Sequence, residues 1–294
     1  MSGARLGTAM AAGPPLVRRE QRGPSRVLTL DHPPVNVLSR PVVEALASEL
    51  DAAEADPAVR TVVIASAAEK AWAAGADIRE MQGLDPAGAR VHGGRGQALT
   101  RRIERLPLPV IAAVHGVCLG GGLEVALACD VIVASEDARF GQPEINLGVM
   151  PGWGGTRRLP RRIGALRARR WILTGRPVTA AEAEAAGLVA WLVPRAELLA
   201  AALTVAEELA SKPPVALAAA KFALLAAIDP AIDEGLAYEL DLWSRLFGTE
   251  GQREGMAAFV EKRPVAPLGR GRWGSESVGF PWSKPASRRS EQRR

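Results

Sequence analysis

The chain is predicted to be an α/β protein, and three observations support this. Apolar runs of strand length at 61–66, 109–114 and 131–135 each lie beside a glycine-bearing turn and a segment of helical pattern, the alternation expected of an α/β sheet. From residue 196 onward the pattern is helical only. With 294 residues and 48% apolar content, the chain can bury one large core and carry a smaller appendage.

Residues 16–20 and 26–31 are expected as short strands joined by Gln21-Arg22-Gly23-Pro24-Ser25, a hairpin opening that Pro33-Pro34 ends. Residues 41–55 set Val42, Val43, Leu46 and Leu50 at helical intervals, opposite a face of Glu and Asp. Strand 61–66 leads to Ala73-Ala74-Gly75-Ala76-Asp77 and a helical start at Ile78-Arg79-Glu80-Met81. No motif fixes residues 80–100, which are expected to pack as loop, with His92, like His32, a loop residue. Strand 109–114 runs through His115-Gly116 and Val117-Cys118-Leu119 to Gly120-Gly121-Gly122, where a helix containing Glu124 begins. His115 is expected to satisfy backbone groups in its turn, and Thr156 to cap a helix N-terminus. Four helices are expected over 196–212, 215–228, 232–247 and 250–262, with Leu236, Leu240, Trp243 and Phe247 as an apolar stripe. Thr249 with Gln252 has the spacing of a capping box. The organisation expected is therefore a body over 16–195 and a helical region over 196–262, flanked by a disordered 1–15 and a disordered tail over 263–294.

The net charge of +5 does not describe the body, because from Arg263 onward there are eight Lys or Arg against two acids. That distribution argues against a nucleic-acid-binding body, although Trp273, Phe280 and Trp282 could let the tail dock on a partner. A second basic stretch, Arg157, Arg158, Arg161, Arg162, Arg167, Arg169 and Arg170, is expected as a solvated or intersubunit helix face, with contact to the phosphates of a ligand or to RNA as its alternative. Residues 1–15 have no continuous apolar segment of the kind found in a secretory signal, and no apolar run is long enough to cross a bilayer. Cys118 and Cys129 fall in apolar surroundings without zinc or disulfide spacing, so buried free thiols and a cytoplasmic location are expected.

The chemistry concentrates in the two glycine turns. Residues without a Cβ let a substrate oxygen approach the backbone closely just where a helix begins and its first N–H groups lack partners. Ala76 and Gly121 are the candidate donors, and two such N–H groups on one carbonyl form an oxyanion hole suited to an enolate. Glu124 behind the triple glycine and Glu144 at the end of Phe140-Gly141-Gln142-Pro143-Glu144 supply a candidate acid/base pair. Other chemistries lack their signatures: no Gly-Lys-Ser/Thr follows the glycines, and Gly94-Arg95-Gly96 lacks the third glycine of a dinucleotide fingerprint. HExxH, CxxC and Gly-x-Ser-x-Gly are absent as well.

Four segments in order, Ala73 to Met81, Leu119-Gly-Gly-Gly-Leu-Glu124, Phe140-Gly-Gln-Pro-Glu144 and Pro151-Gly-Trp-Gly-Gly-Thr156, resemble the enoyl-CoA hydratase/isomerase family, the crotonases. The likeness runs from about residue 16 to 263 and includes Arg253-Glu-Gly-Met-Ala-Ala-Phe-Val-Glu-Lys262. The resemblance implies a spiral of ββα repeats followed by a helical trimerisation region, assembled as a homotrimer or homohexamer. It also implies acyl-CoA thioester substrates, as in fatty-acid β-oxidation, and no metal or redox cofactor, CoA being part of the substrate. Carried over by position, Ala76 and Gly121 would form the oxyanion hole, and Ala76, Asp77, Ile78 and Arg79 would line the CoA channel. Pro151 to Thr156 is expected to form the wall behind Glu144, with Pro151 and Gly152, like Gly121, substrate-binding, while Glu124 and Glu144 match the two acidic positions of the hydratases. Keeping both acids favours a lyase that reversibly adds water to trans-2-enoyl-CoA to give 3-hydroxyacyl-CoA. The alternatives are an enoyl-CoA isomerase, a hydratase for a branched or aromatic acyl-CoA, and an RNA-binding or scaffold protein of the same fold.

Overall fold

Strands β1 (Val17–Arg22) and β2 (Ser25–Leu30) pair antiparallel, and β2 then lies parallel to β3 (Thr61–Ser66). With β5 (Val110–Val114), β7 (Val131–Ser135) and β10 (Trp191–Val193) these make a six-stranded sheet of order β1-β2-β3-β5-β7-β10. Strands β4 (Ala71–Ala73), β6 (Val117–Leu119), β8 (Arg139–Gly141) and β9 (Val178–Thr179) make a second sheet in that order. The chain thus alternates between sheets: β3, β5 and β7 enter the large one, and β4, β6 and β8 follow each of them into the small one. This is the ββα spiral. The computed structural model describes residues 14–212, 214–228, 236–237, 240, 243–244, 246–264 and 266.

The apolar run of β3 is explained by burial on both faces. Val62 and Ile64 point into the core between sheets and helices, while Val63 points the other way, to a cluster with Ile111, Val133 and the helix α8 (Leu198–Ala210). That helix presents Leu198, Ala202 and Ala206, one residue per turn, to the sheet. Helix α1 (Arg40–Ala55) buries Val42, Val43, Leu46 and Leu50, the stripe that its periodicity predicts. The other α-helices with described bounds are α2 (Ile78–Met81), α3 (Pro86–Arg105), α4 (Gly121–Ala128), α5 (Gly155–Ile163), α6 (Ala165–Thr174), α7 (Ala180–Ala185), α9 (Pro214–Ile228) and α10 (Glu250–Glu261).

Several expectations need correction. Residues 80–100 are not loop: α3 runs for twenty residues, opened by Pro86 after Asp85, whose side chain caps the Gly88 N–H at 2.7 Å. His92 therefore sits inside a helix and is buried. Its glycines hid it, because glycine costs a helix about 1 kcal/mol relative to alanine. Here Gly93 and Gly96 are where large side chains of other segments press against the helix. A Cβ on Gly93 would lie 2.7 Å from Leu240 and 2.8 Å from Trp243, and one on Gly96 would lie 2.0 Å from Trp153.

Thr156 is not the N-cap of its helix: Gly154 precedes α5, and Thr156 lies inside it. At α10 the Thr249 hydroxyl accepts the Gln252 N–H at 3.2 Å as the spacing predicts, but the Gln252 side chain returns to the Gly248 N–H at 3.0 Å instead of that of Thr249. The basic stretch is not uniformly solvated, since Arg158 is buried and forms a bidentate ion pair with Glu104 at 2.6 and 2.7 Å. Arg167, Arg169 and Arg170 are exposed on α6.

Most of the helix expected over 232–247 lies outside the described residues, although Leu236, Leu240 and Trp243 are helical. Leu236, Trp243 and Phe247 of its stripe are buried. The N-terminal segment up to residue 13, and the tail beyond 266 with its three aromatic residues, also lie outside them. Among the described residues no helix is long and apolar enough to cross a membrane.

Candidate active site

Two strand-to-helix junctions meet at the site. The first follows β4, where Asp77 caps α2 by accepting the Arg79 N–H at 2.8 Å. Leu38 anchors this turn through its N–H on the Gly75 carbonyl at 2.8 Å. The second follows β6, where Gly120 adopts φ +53°, a conformation side chains disfavour, and α4 starts at Gly121. The Gly120 N–H is fixed on the Gly141 carbonyl of β8 at 2.9 Å.

The two turns touch. A Cβ built on Gly121 would lie 3.3 Å from the Ala76 amide nitrogen, and one on Gly75 would lie 3.7 Å from the Gly121 amide nitrogen. The packing depends on Gly122, whose Cβ would come within 2.3 Å of the Ala73 carbonyl oxygen. Ala76 and Gly121 are thus neighbours in space, and the Gly121 N–H, at the first position of α4, has no acceptor within the helix.

The two glutamates flank this junction. Glu124 lies in α4, a helix buried along its whole length, and is only 2% exposed. Its Oε1 accepts the Trp153 N–H at 2.7 Å and the Gly155 N–H at 2.8 Å. Glu144 stands in a short 3-10 helix, Pro143–Leu147, with its Oε1 3.2 Å from where a Gly120 Cβ would be. Asp77, Ile78 and Arg79 rim the first turn, Arg79 being exposed.

Pro151 and Gly152, expected in the wall behind Glu144, lie in the segment that runs into Trp153. Both are buried; Gly152 is covered by the Trp243 indole, whose Nε1 lies 2.7 Å from a Cβ position there. The segment from Pro151 to Gly155 serves Glu124 directly through its amides. It is tied in place by the Thr100 hydroxyl on the Trp153 carbonyl at 3.0 Å and by Gln97 Nε2 on the Gly152 carbonyl at 3.1 Å.

The histidines stand apart from the paired acids. His115 donates from Nε2 to the Ala68 carbonyl at 2.8 Å, the backbone role expected, and burial lowers its pKa. His92 is stacked on Trp243 with ring centroids 6.0 Å apart, and burial brings its pKa down to about 4. Cys118 and Cys129 are free and buried, and burial pushes both thiols upward, so neither is poised as a nucleophile.

A family profile described as enoyl-CoA hydratase/isomerase matches residues 25–266. The chain belongs to the enoyl-CoA hydratase/isomerase family. It is 47% identical over 247 residues to a probable enoyl-CoA hydratase of Rhizobium meliloti, covering 83% of this chain and 94% of the relative. It is 40% identical to the short-chain-enoyl-CoA hydratase of Clostridium acetobutylicum, covering 84% and 95%. Among solved structures, an enoyl-CoA hydratase from Mycobacterium avium subsp. paratuberculosis superposes with a TM-score of 0.77 at 32% identity, covering 86% of this chain and 99% of that one.

Within this candidate site, two further residues carry no clear signal in the sequence. Gln142 is fully buried, and with its amide nitrogen turned toward Glu144 it donates to the two carboxylate oxygens at 2.8 and 3.1 Å. Its place two residues before Glu144, in a motif otherwise apolar, was the available signal. Trp153 lays its indole against Gly121, with Cζ3 3.0 Å from the Cβ position there. No periodicity marks that contact, which arises from a loop folding back over α4.

Proposed function

We propose that this chain is an enoyl-CoA hydratase that reversibly adds water across trans-2-enoyl-CoA to give the 3-hydroxyacyl-CoA. The observation that carries the reading is the contact between the Gly75-Ala76 and Gly120-Gly121 turns, flanked by Glu124 and Glu144. In this reading the Ala76 and Gly121 N–H groups grip the thioester carbonyl and stabilise the enolate formed when water adds at C3, a contribution of about 3 to 4 kcal/mol per donor.

Glu124, oriented by the Trp153 and Gly155 amides, positions and activates the water. Its oxygen bonds to C3, one of its protons passes to the carboxylates, and Glu144 delivers a proton to C2. Gln142 holds Glu144 in orientation. Shifting a double bond needs only one shuttling base; retention of two acids around one turn favours hydration over isomerisation.

CoA enters as part of the substrate along Asp77, Ile78 and Arg79, and no further cofactor is required. Residues 196–262 are assigned to assembly as a homotrimer or homohexamer, and two buried free thiols suit a reducing cytoplasm. The test is loss of the conjugated enoyl-thioester absorbance with the wild-type chain and with Glu144→Gln. The variant is expected to fold normally and to turn over about 100-fold to 10,000-fold more slowly. Near-wild-type turnover would remove Glu144 from the chemistry.

A further inference from the structure

We propose that Trp153 closes the acyl pocket a short distance beyond the reacting carbons and restricts this enzyme to short enoyl groups such as crotonyl. The inference rests on the hydratase reading, because it takes the carbonyl to be held at Ala76 and Gly121. In that reading the acyl chain leaves along the surface beside Gly121, where the oxyanion turn meets the Trp153 loop. That surface is occupied: Cζ3 and Cε3 of Trp153 lie 3.0 and 3.1 Å from the Gly121 Cβ position.

The same indole spans to the opposite wall. Its Cδ2, Cε2 and Cγ lie 2.0, 2.1 and 2.3 Å from the Cβ position of Gly96 on α3, so the ring fits only because Gly96 carries no side chain. One flat group therefore bridges the oxyanion turn and α3.

Behind it there is more aromatic packing. The His92 ring lies 6.2 Å from that of Trp153 and is stacked on Trp243, which meets Phe247 edge-on at 4.7 Å. His92 and Trp243 are 7% and 2% exposed, so a longer chain passing the indole would meet filled space. Glu124 is bound by the Trp153 main chain, not its ring, so truncating the ring leaves that hydrogen bond available.

The experiment compares kcat/KM for crotonyl-CoA and trans-2-decenoyl-CoA in the wild type, Trp153→Ala and Trp153→Phe. The wild type is expected to favour crotonyl-CoA by about 100-fold or more, the scale on which a pocket discriminates by a few methylenes. Trp153→Ala should raise the decenoyl-to-crotonyl ratio by about 10-fold or more, and Trp153→Phe should retain most of the short-chain preference. Equal wild-type rates on both thioesters would overturn the proposal, as would an unmoved ratio in a Trp153→Ala protein with native circular dichroism. If Trp153→Ala does not fold, the wild-type profile and Trp153→Leu decide in the same way. Failure of the wild type to consume any enoyl-CoA would be a different result, and would sink the hydratase reading instead.

Discussion

Glu124 is bound by Trp153: its Oε1 accepts the Trp153 N–H at 2.7 Å, inside a helix that solvent does not reach. The Gly155 N–H completes the grip at 2.8 Å, so this one carboxylate joins the proposed water site to the loop that carries Trp153.

This dual role separates two substitutions. Glu124→Ala leaves two buried donors unsatisfied, each costing about 1 to 3 kcal/mol, and should lower stability as well as turnover. Glu124→Gln keeps an acceptor at the same place, so most of the stability should remain while turnover falls about 100-fold or more. Urea denaturation beside steady-state kinetics checks this. Equal stability losses in the two variants would show that the amides do not depend on an acceptor at residue 124.

Gly122 is expected to tolerate no side chain. An alanine Cβ would sit 2.3 Å from the Ala73 carbonyl oxygen, and relieving that clash must move β4 away from α4, carrying Ala76 away from Gly121. A misplacement on the order of 1 Å at a reacting centre costs about 100-fold in rate. Gly122→Ala should therefore lose about that much in kcat/KM, and unchanged kinetics would show that the two turns need not touch.

The Arg158–Glu104 pair should matter to stability well beyond a surface ion pair. The two side chains are 3% and 12% exposed, and Arg158 Nη1 also donates to the Trp153 carbonyl at 2.7 Å. Glu104→Gln removes the counter-charge of a buried guanidinium, at a cost of about 3 to 5 kcal/mol. A shift in the denaturation midpoint measures it; a loss under about 1 kcal/mol would be the behaviour of an exposed pair.

His92 is expected to make the fold acid-sensitive. Burial is the main reason its pKa falls from 6.5 to about 4, with Arg95 acting in the same direction and Asp77 against it. Its Nε2 is buried and has no hydrogen-bond partner among the described residues. Because the folded value lies below the unfolded one, the unfolded chain binds more protons between about pH 4 and 6.5, so stability is complete above that window and declines as pH falls through it. The effect of this one group is at most about 3 kcal/mol. His92→Phe should flatten that part of the stability-pH curve, and an unchanged slope would mean that other groups carry it.

Much of the candidate site is legible in the sequence, because its residues are grouped locally in the chain. A glycine turn followed by an acid near the start of a helix says how α4 begins and where Glu124 lies. Ala73 to Asp77 announces the second turn in the same way. The longer strand and helix signals, including the stripe of α1, reflect faces buried along a single element. The three-residue strands β4, β6 and β8 have no period to detect; they exist because neighbouring strands in the small sheet accept their backbone groups.

By itself the sequence determined which residue types were available to the chemistry: two acids, two turns without side chains, an alternation of strand and helix, and no competing metal or phosphate signature. Only the tertiary structure decided which of them meet. It placed Ala76 beside Gly121, made the glycine-rich stretch around His92 a helix by pressing two tryptophans into it, buried Arg158 against Glu104, and laid the Trp153 ring between Gly121 and Gly96. The physical reason is that these outcomes depend on close contact between segments distant in sequence. There, a missing Cβ or a filled gap outweighs the local preference that a window of residues can express.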